Sequence, residues 1–364
     1  MKSILLLTIV LIMTGTRTLF AIDINVTQPV FRGNHPAVPQ LNLEAARIFQ
    51  NLEMDVRNQL AGINANPQNL IGAFANSSVF ASDGATQRAY GGFNMFAVTA
   101  GSIIGLQLPG SPLSMINELE DFMDTLETEG DINMGLNPQI INAQFGMNAS
   151  FLLDNLYLGV KAGFMFLPTD NFTINTLSFG VMGSYQLFKH RSIGLRSILW
   201  RGVNLGTGFI YQNTNLDIVQ NLDSVRERIN AGGNNVTLEV QPKLDLNFNI
   251  NTFTIPLEVM TSLRLFYFLN LALGAGADIG FGTASLDAGG LFDVHIRDLP
   301  QGISYTPANM RVSGLGGEAS PNVFNPKVMS GIGFTMGPVL LDIPFTYYLL
   351  DHGFNLGLTL GVFW

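Results

Sequence analysis

The sequence has no cysteine, few charges and no long apolar run after its first residues. The absence of Cys from all 364 positions excludes disulfides, thiol catalysis and a lipid-modified N-terminal cysteine. Only 12% of the residues are charged, against about 25% in ordinary soluble domains. Beyond the N-terminal region no run of about 18 apolar residues occurs, so no transmembrane helix is expected. The net charge of −9 argues against nucleic acid as a partner, because nucleic acid selects basic surfaces.

The first residues have the order of a secretory signal. Lys2 supplies a positive start, Ile4–Met13 an apolar core, and Ala21 a cleavage position. The apolar core is too short to span a bilayer. We therefore predict a signal peptide over residues 1–21. An exported chain without a transmembrane helix is either soluble or a barrel.

A period-two alternation of apolar and polar residues dominates the rest of the chain and predicts β-strands. In Thr237–Asn251, Leu, Val, Phe and Ile take one face, and Glu, Gln, Lys, Asp and Asn take the other. Most polar faces are rich in Gly, Asn, Ser and Thr and poor in Lys and Glu, unlike a solvated exterior. Because lipid offers backbone groups no hydrogen-bond partner, spanning strands must form a closed sheet. The sequence predicts an all-β transmembrane antiparallel β-barrel in the bacterial outer membrane; a soluble β-sandwich is the alternative.

Thirteen alternating segments can be distinguished between residues 87 and 364. Single-chain bacterial barrels have even strand numbers, so we predict a barrel of 12–14 strands over residues 87–364. Tight turns are predicted at Asp154-Asn155, Asn251-Thr252, Gly337-Pro338 and Asp351-His352. Longer connections are predicted at Pro109–Pro138, Gln212–Asn235 and Leu299–Pro307, and the first contains an amphipathic helix, Ser114–Glu127.

The chain ends on an alternating stretch, FNLGLTLGVFW, residues 354–364. It resembles the C-terminal assembly signal of bacterial outer-membrane barrels, an alternating strand that closes on an aromatic residue. The resemblance implies recognition by the barrel assembly machinery. The residues that carry the signal are Leu360, Val362, Phe363 and Trp364.

Residues 22–86 have a different pattern. Leu41–Leu60 places apolar residues at helical spacing, and the following stretch, Asn64–Ser82, is small and apolar. A barrel lumen would cover this apolar surface. We therefore predict an N-terminal helical plug or periplasmic segment over residues 22–86, with packing on the periplasmic rim as the alternative.

The chain lacks the motifs of the common enzyme classes. Its four His residues do not pair at ligand spacing, and no nucleophile elbow, phosphate loop or zinc-protease motif occurs. We predict no catalytic residue, no metal site and no cofactor.

Several charged residues fall on polar faces of predicted strands and are candidates for a lumen lining or a substrate constriction. Mutual salt bridging across a filled interior is the alternative. Inside a barrel such charges avoid lipid, where Arg or Lys would cost about 2–4 kcal/mol at the midplane. They are Lys161, Glu239, Lys243, Asp245, Glu258, Arg264 and Asp278.

Two families resemble parts of this sequence. LWRGVNLGTGFIYQ at 199–212 and IPLEVMTSLRLFYFLNLALGAGADIGFG at 255–282 resemble the spirochaete surface-protein family named after a leptospiral laminin-binding adhesin. That resemblance implies a surface-exposed protein that binds host matrix. The overall plan is similar to FadL-like long-chain fatty-acid transporters, whose N-terminal hatch bears Asn-Pro-Ala; here Gln68 follows Asn66-Pro67.

The sequence is compatible with three functions. The first is a FadL-like channel for uptake of hydrophobic solutes such as fatty acids. The second is a surface-exposed adhesin that binds host extracellular-matrix proteins through its outer loops. The third is a general porin. All three place the protein in outer-membrane lipid.

Overall fold

The computed structural model describes residues 23–59, 67–82, 95–108, 134–169, 171–193, 197–221, 224–231, 234–313 and 316–364. The predicted signal peptide and the predicted helix Ser114–Glu127 lie outside these ranges. No helix in the described part of the chain is long and apolar enough to cross a membrane.

The N-terminal part forms two short strands and two helices, and the remainder is almost entirely strand. The N-terminal elements are β1 (Asp23–Thr27), β2 (Val30–Arg32), α1 (Val38–Gln59) and α2 (Pro67–Ala81). The next strands are β3 (Phe96–Gln107), β4 (Gly135–Asn148), β5 (Leu156–Pro168), β6 (Phe172–Phe188), β7 (Arg191–Ser192), β8 (Ile198–Asn221), β9 (Val225–Ala231) and β10 (Asn234–Leu265). The last are β11 (Leu269–Arg297), β12 (Ser304–Thr306), β13 (Asn309–Ser313), β14 (Gly316–Ala319), β15 (Phe324–Met336), β16 (Val339–Tyr348) and β17 (Phe354–Phe363).

Ten of the described strands close into an antiparallel barrel. Their order is β3-β4-β5-β6-β8-β10-β11-β15-β16-β17, and β17 pairs with β3 to complete the cylinder. At the seam Phe354 lies opposite Leu106, and Phe363 lies opposite Ala97. The final strand of the sequence is therefore the closing strand.

The described residues give a barrel of ten strands rather than the 12–14 expected. Two of the thirteen alternating segments, 236–251 and 253–267, are one strand, β10, and two others, 269–284 and 288–298, are one strand, β11. Segment 308–315 contains β13, which pairs with β1 outside the barrel. The turn predicted at Asn251-Thr252 is wrong, because both residues lie within the ladder between β10 and β11. Much of the predicted connection Gln212–Asn235 is also strand.

The misplaced turn reflects an inversion of the alternation halfway along β10. Even-numbered side chains are buried on both sides of the inversion: apolar Phe248 and Ile250 before it, polar Thr252 and Thr254 after it. On the outward face, Asn249 and Asn251 are followed by Phe253. Outside the barrel the surroundings change from water to lipid at this level, and inside they change from an apolar core to a polar lumen. The inversion therefore marks where the strand leaves the bilayer.

The barrel wall is apolar outside and polar inside. Outward side chains such as Phe179 and Leu273 are 54% and 64% exposed, and inward polar side chains are buried on every barrel strand. The exposed apolar set includes Val160, Phe164, Leu177, Val181, Leu257, Val259, Ile332, Ile343, Leu358 and Leu360. A soluble protein does not present such a continuous apolar band to water. This polarity confirms the prediction of an outer-membrane β-barrel.

The two ends of the barrel differ. At the Trp364 end, short turns such as Phe266–Phe268 and Gly337-Pro338 join the strands, and the Met95 amide donates to the Trp364 carbonyl at 2.8 Å. At the opposite end, here called the far end, β8 to β11 extend beyond the lipid-facing band. There β1 pairs with β13, β2 pairs with β12, and α1 packs on β9.

Residues 23–59, β12 and β13 form what we call the outer module. Its core joins the apolar face of α1 to the inward face of the extended strands. The core includes Phe31, Leu41, Ile48, Phe49, Leu52, Val236, Leu238, Phe248 and Ile250. The outer module therefore covers the far end of the barrel.

Candidate functional site

Helix α2 lies inside the barrel. Every side chain from Ala73 to Ser82 is buried, and the helix sequence, PQNLIGAFANSSVFA, carries no charge. A helix without a charged, solvated face needs cover on all sides, and the barrel wall supplies it. A Cβ at Gly135 would collide with the carbonyl of Ala73, and one at Gly353 with the ring of Phe80. The helix therefore packs directly on the backbone of the wall.

Three wall side chains cap the C-terminal end of α2. Asn355 Nδ2 donates to the Phe80 carbonyl at 2.5 Å, and Gln139 Nε2 donates to the Ala81 carbonyl at 3.1 Å. Lys161 Nζ donates to the Ser82 carbonyl. The last carbonyls of a helix lack internal partners, and a cation beside them is favoured by the helix dipole. β4, β5 and β17 thus hold the same helix end.

A chain of buried amides and hydroxyls continues from this cap around the lumen. Gln139 Nε2 also lies 2.8 Å from Gln212 Oε1, and Gln212 Nε2 donates to Asn137 Oδ1 at 2.7 Å. Asn137 Nδ2 donates to Thr214 Oγ1 at 2.9 Å, and Asn142 Nδ2 donates to Gln139 Oε1 at 2.6 Å. Connected polar networks of this kind are rigid, since each group that loses its partner is left buried and unpaired.

A buried charge cluster lies across the lumen from this network. Lys327 Nζ is 2.6 Å from Glu258 Oε1 and 2.7 Å from Asp278 Oδ1, and all three side chains have no exposed area. Tyr348 OH donates to Asp278 Oδ2 at 2.8 Å. Two carboxylates therefore share one ammonium group away from water, and removal of the ammonium would leave both without a counter-ion.

One aromatic pair joins the helix to the charge cluster, and further polar contacts join the helix to other parts of the barrel. The rings of Phe80 and Tyr348 stack with centroids 3.9 Å apart. Ser78 Oγ lies 2.7 Å from Thr252 Oγ1 on β10, and the Asn322 amide donates to Asn76 Oδ1 at 2.7 Å. Ring packing, hydrogen bonds and the three caps thus keep α2 in place inside the barrel.

The structure places the predicted lining residues in two environments. Lys161, Glu258 and Asp278 are buried in the lumen, and Arg264 is half-buried near the Trp364 end of β10. The other three, Glu239, Lys243 and Asp245, lie on the opposite face of β10, in the part that extends beyond the lipid-facing band. The alternation inverts between the two groups, so polar residues before Ile250 face outward.

Glu239 is held by arginines on that outward face. Arg226 Nη2 donates to Glu239 Oε1, and Arg297 Nη2 lies 3.4 Å from Glu239 Oε2. The hydrogen bond from Arg226, followed by the charges of Arg226, Arg297 and His295, holds the pKa of Glu239 below its usual value. Burial of the carboxylate opposes this shift without reversing it.

The final strand occupies the seam. Leu360 is 57% exposed on the outward face. Phe363 packs inward against two small clusters, one with Leu340 and one with Tyr157. The ring centroid of Trp364 lies 4.4 Å from that of Phe96. The last aromatic residue thus lies at the barrel's edge, beside the first barrel strand.

Sequence reasoning did not identify Lys327, Tyr348, Gln139 or Gln212 as site residues. The alternation in β15 does carry a signal for Lys327, because Asn325, Lys327 and Met329 share the face opposite Val328, Ile332 and Phe334. No local signal marks Gln139 or Tyr348 as contacts of α2. Among the described residues, no group of three or more His, Asp or Glu is arranged to hold a metal ion.

Comparison with known proteins gives one family match. The model of the Lsa36-like family matches residues 28–364. No curated relative matches the chain at a significant level.

Several solved structures share some similarity with the chain. The translocator domain of the autotransporter NalP from Neisseria meningitidis is 9% identical, with 85% of this chain and 96% of that chain covered and a TM-score of 0.28. A Pseudomonas aeruginosa FadL homologue is 10% identical, with coverages of 81% and 97% and a TM-score of 0.25. The attachment invasion locus protein Ail of Yersinia pestis is 10% identical, with coverages of 74% and 97% and a TM-score of 0.24.

Proposed function

Since this chain belongs to the Lsa36-like family, and its outer module is folded over a filled barrel, we propose that it is a surface-exposed adhesin. One observation carries the proposal: the connections that contain β9, β12 and β13, together with α1, lie at the end of the barrel opposite Trp364. Long connections are typical of the extracellular side of outer-membrane barrels and short turns of the periplasmic side. The outer module therefore faces the surroundings of the cell.

The contents of the lumen support a role in which the barrel presents the outer module rather than conducts solutes. Helix α2 fills it, and the wall caps the helix with Lys161, Gln139 and Asn355. A ten-stranded barrel has little room beyond a helix. The barrel then serves as an anchor, and host extracellular-matrix proteins bind to the outer module.

A test of sidedness uses two epitope insertions in the whole protein. One follows Gln301, in the exposed turn before β12, and the matched control follows Gly337, in the turn between β15 and β16. On intact cells we expect antibody to label the first variant only. Labelling of the control variant alone would show that the opposite end of the barrel faces outward, and it would remove the basis of the proposal.

A test of binding uses the purified protein in liposomes and immobilised laminin or fibronectin. We expect saturable binding of at least one matrix protein and no stable conductance in planar bilayers. Absence of binding to every matrix protein tested, together with large stable open steps, would identify a pore instead.

Uptake of hydrophobic solutes is the second candidate, and one observation favours it. The apolar core of the outer module continues into the lumen through Leu70, Ile71 and Phe74 of α2. If α2 moves, this continuous apolar surface leads from the outer module into the lumen. Transfer of fatty acids into liposomes that depends on the protein would support this candidate over the first.

A further inference from the structure

The outward face of the extension at the far end carries a cluster of arginines. In the ladder of β9, β10 and β11, one cross-strand row contains Arg226, Glu239 and His295. The next row, two residues along, contains Arg228, Thr237 and Arg297. Neighbouring residues in such a ladder are about 5 Å apart across strands and about 7 Å apart along them. The six positions therefore form one compact patch, which we call the arginine patch.

The arginine side chains of the patch are exposed to the surrounding medium. The side chains of Arg226 and Arg297 are 65% and 68% exposed, and Arg228 and His295 are also exposed. Glu239 is the only carboxylate among the six positions, and it orients two of the guanidinium groups from below. Three arginines thus face one carboxylate, in a chain whose net charge is −9.

The height of the patch separates it from the lipid surface. Asn251 marks the level where β10 leaves the bilayer, and Glu239 lies twelve positions further along the same unbroken strand. At about 3.3 Å per residue this is about 40 Å of strand, or about 30 Å of height for a strand tilted by 40°. Headgroups of the bilayer do not reach that level, so the partner is a molecule in the surrounding medium.

The chemistry of the patch selects a polyanion. Guanidinium groups present planar, paired donors that match anions with several oxygens. Rows of arginine at a spacing of a few ångströms suit a chain that repeats its charges. We infer that the arginine patch binds sulfated polysaccharide of the glycosaminoglycan type. This inference rests on the proposed function, because it requires the outer module to face outward in the cell.

The test measures binding of soluble heparin to the whole protein in neutral liposomes. Arg228→Gln and Arg297→Gln are each expected to weaken binding about two- to fivefold, the range of an exposed charge pair. Glu239→Gln is expected to strengthen binding, because it removes the competing carboxylate. Increasing salt is expected to weaken binding of the unaltered protein. The matched control is Arg47→Gln on α1, an exposed arginine outside the patch that pairs with Glu44.

The outcomes separate this inference from the proposed function. Equal losses of heparin binding in Arg228→Gln and Arg47→Gln would show that net charge alone determines the binding. This result would overturn the assignment. Binding that follows anionic phospholipid vesicles rather than heparin would also overturn it. Because the liposome assay does not depend on orientation in the cell, intact heparin binding without surface labelling would retain the chemistry of the patch and remove the proposed function, together with a role for the patch at the cell surface. Heparin binding that is unchanged in the patch variants, with matrix-protein binding intact, removes this inference alone.

Discussion

Phe80 of the lumen helix stacks on Tyr348 of the barrel wall, with ring centroids 3.9 Å apart and ring planes 21° apart. The hydroxyl of the same Tyr348 donates to Asp278. One aromatic side chain thus joins the apolar packing of α2 to the buried charges of the lumen.

The first prediction concerns this aromatic pair. Phe80→Ala removes a fully buried ring, and losses of this kind cost about 3–5 kcal/mol. We expect α2 to be held less firmly and planar bilayers to show frequent open steps. Phe166→Ala, at a ring that is 64% exposed on the lipid face, is the control and should stay closed. If neither variant shows open steps, the stacking of Phe80 on Tyr348 does not hold the helix in place.

The second prediction compares two changes in the charge cluster. Lys327→Met leaves Glu258 and Asp278 buried without a counter-ion, which costs about 3–5 kcal/mol. Glu258→Gln leaves one carboxylate and one ammonium, so its cost should be much smaller. The measurement is the temperature at which the folded band disappears in heat-modifiability gels. If Glu258→Gln lowers that temperature as much as Lys327→Met, the cluster is not governed by charge balance.

The third prediction tests the cap of α2. Lys161→Met removes the cation beside the Ser82 carbonyl, and the dipole interaction alone contributes up to about 2 kcal/mol in partly buried sites. We expect faster hydrogen exchange at the amides of Phe80, Ala81 and Ser82. Lys189→Met, at an exposed position after β6, is the matched control. Unchanged protection of these amides in Lys161→Met would show that the other two donors suffice.

The fourth prediction tests whether the inversion in β10 marks the bilayer boundary. Val259 and Asn249 face outward on the same strand, and Val259 is 49% exposed. Val259→Arg puts a charge into lipid and should destabilise the folded barrel by about 2–4 kcal/mol. Asn249→Arg should be close to neutral. Urea unfolding in liposomes measures both, and equal effects would place the boundary elsewhere.

The fifth prediction concerns acid. The pKa of Glu239 is lower in the folded protein than in the unfolded chain, mainly through the hydrogen bond from Arg226. Its contribution to stability is therefore full above its unfolded pKa and is lost as pH falls through its folded pKa. The thermal midpoint of the unaltered protein should exceed that of Glu239→Gln at pH 7, and the difference should vanish in strong acid. A difference independent of pH would assign the effect to packing.

Much of the barrel could be predicted from the sequence because each spanning strand has uniform surroundings. Lipid on one side and a polar lumen on the other impose a strict alternation, which marks the final strand, residues 354–364, in the sequence. The same rule placed Lys161, Glu258 and Asp278 on the inward face. The predicted number of strands was wrong because the surroundings change along one strand. At Ile250 and Thr252 the alternation slips by one residue while the backbone continues unbroken, and a pattern alone reads this as a turn.

The contacts of the lumen helix could not be predicted, because they join positions that are distant in sequence. Lys161 meets the Ser82 carbonyl 79 residues away, and Asn355 meets the Phe80 carbonyl 275 residues away. Such contacts depend on the order in which the strands surround the helix. A lysine on a strand face shows only that it avoids lipid, and its partner follows from the closed topology.

The path of the backbone has a mechanical consequence. Ser82 is buried in the lumen beside Lys161, whereas Met95 is bonded to Trp364 at one mouth and α1 is packed on β9 beyond the other. The chain joins α1 directly to α2, so the lumen helix is tethered to a folded body beyond the far mouth. Withdrawal of α2 through the Trp364 mouth therefore requires α1 to separate from β9, and release of the lumen in that direction is coupled to unfolding of the outer module.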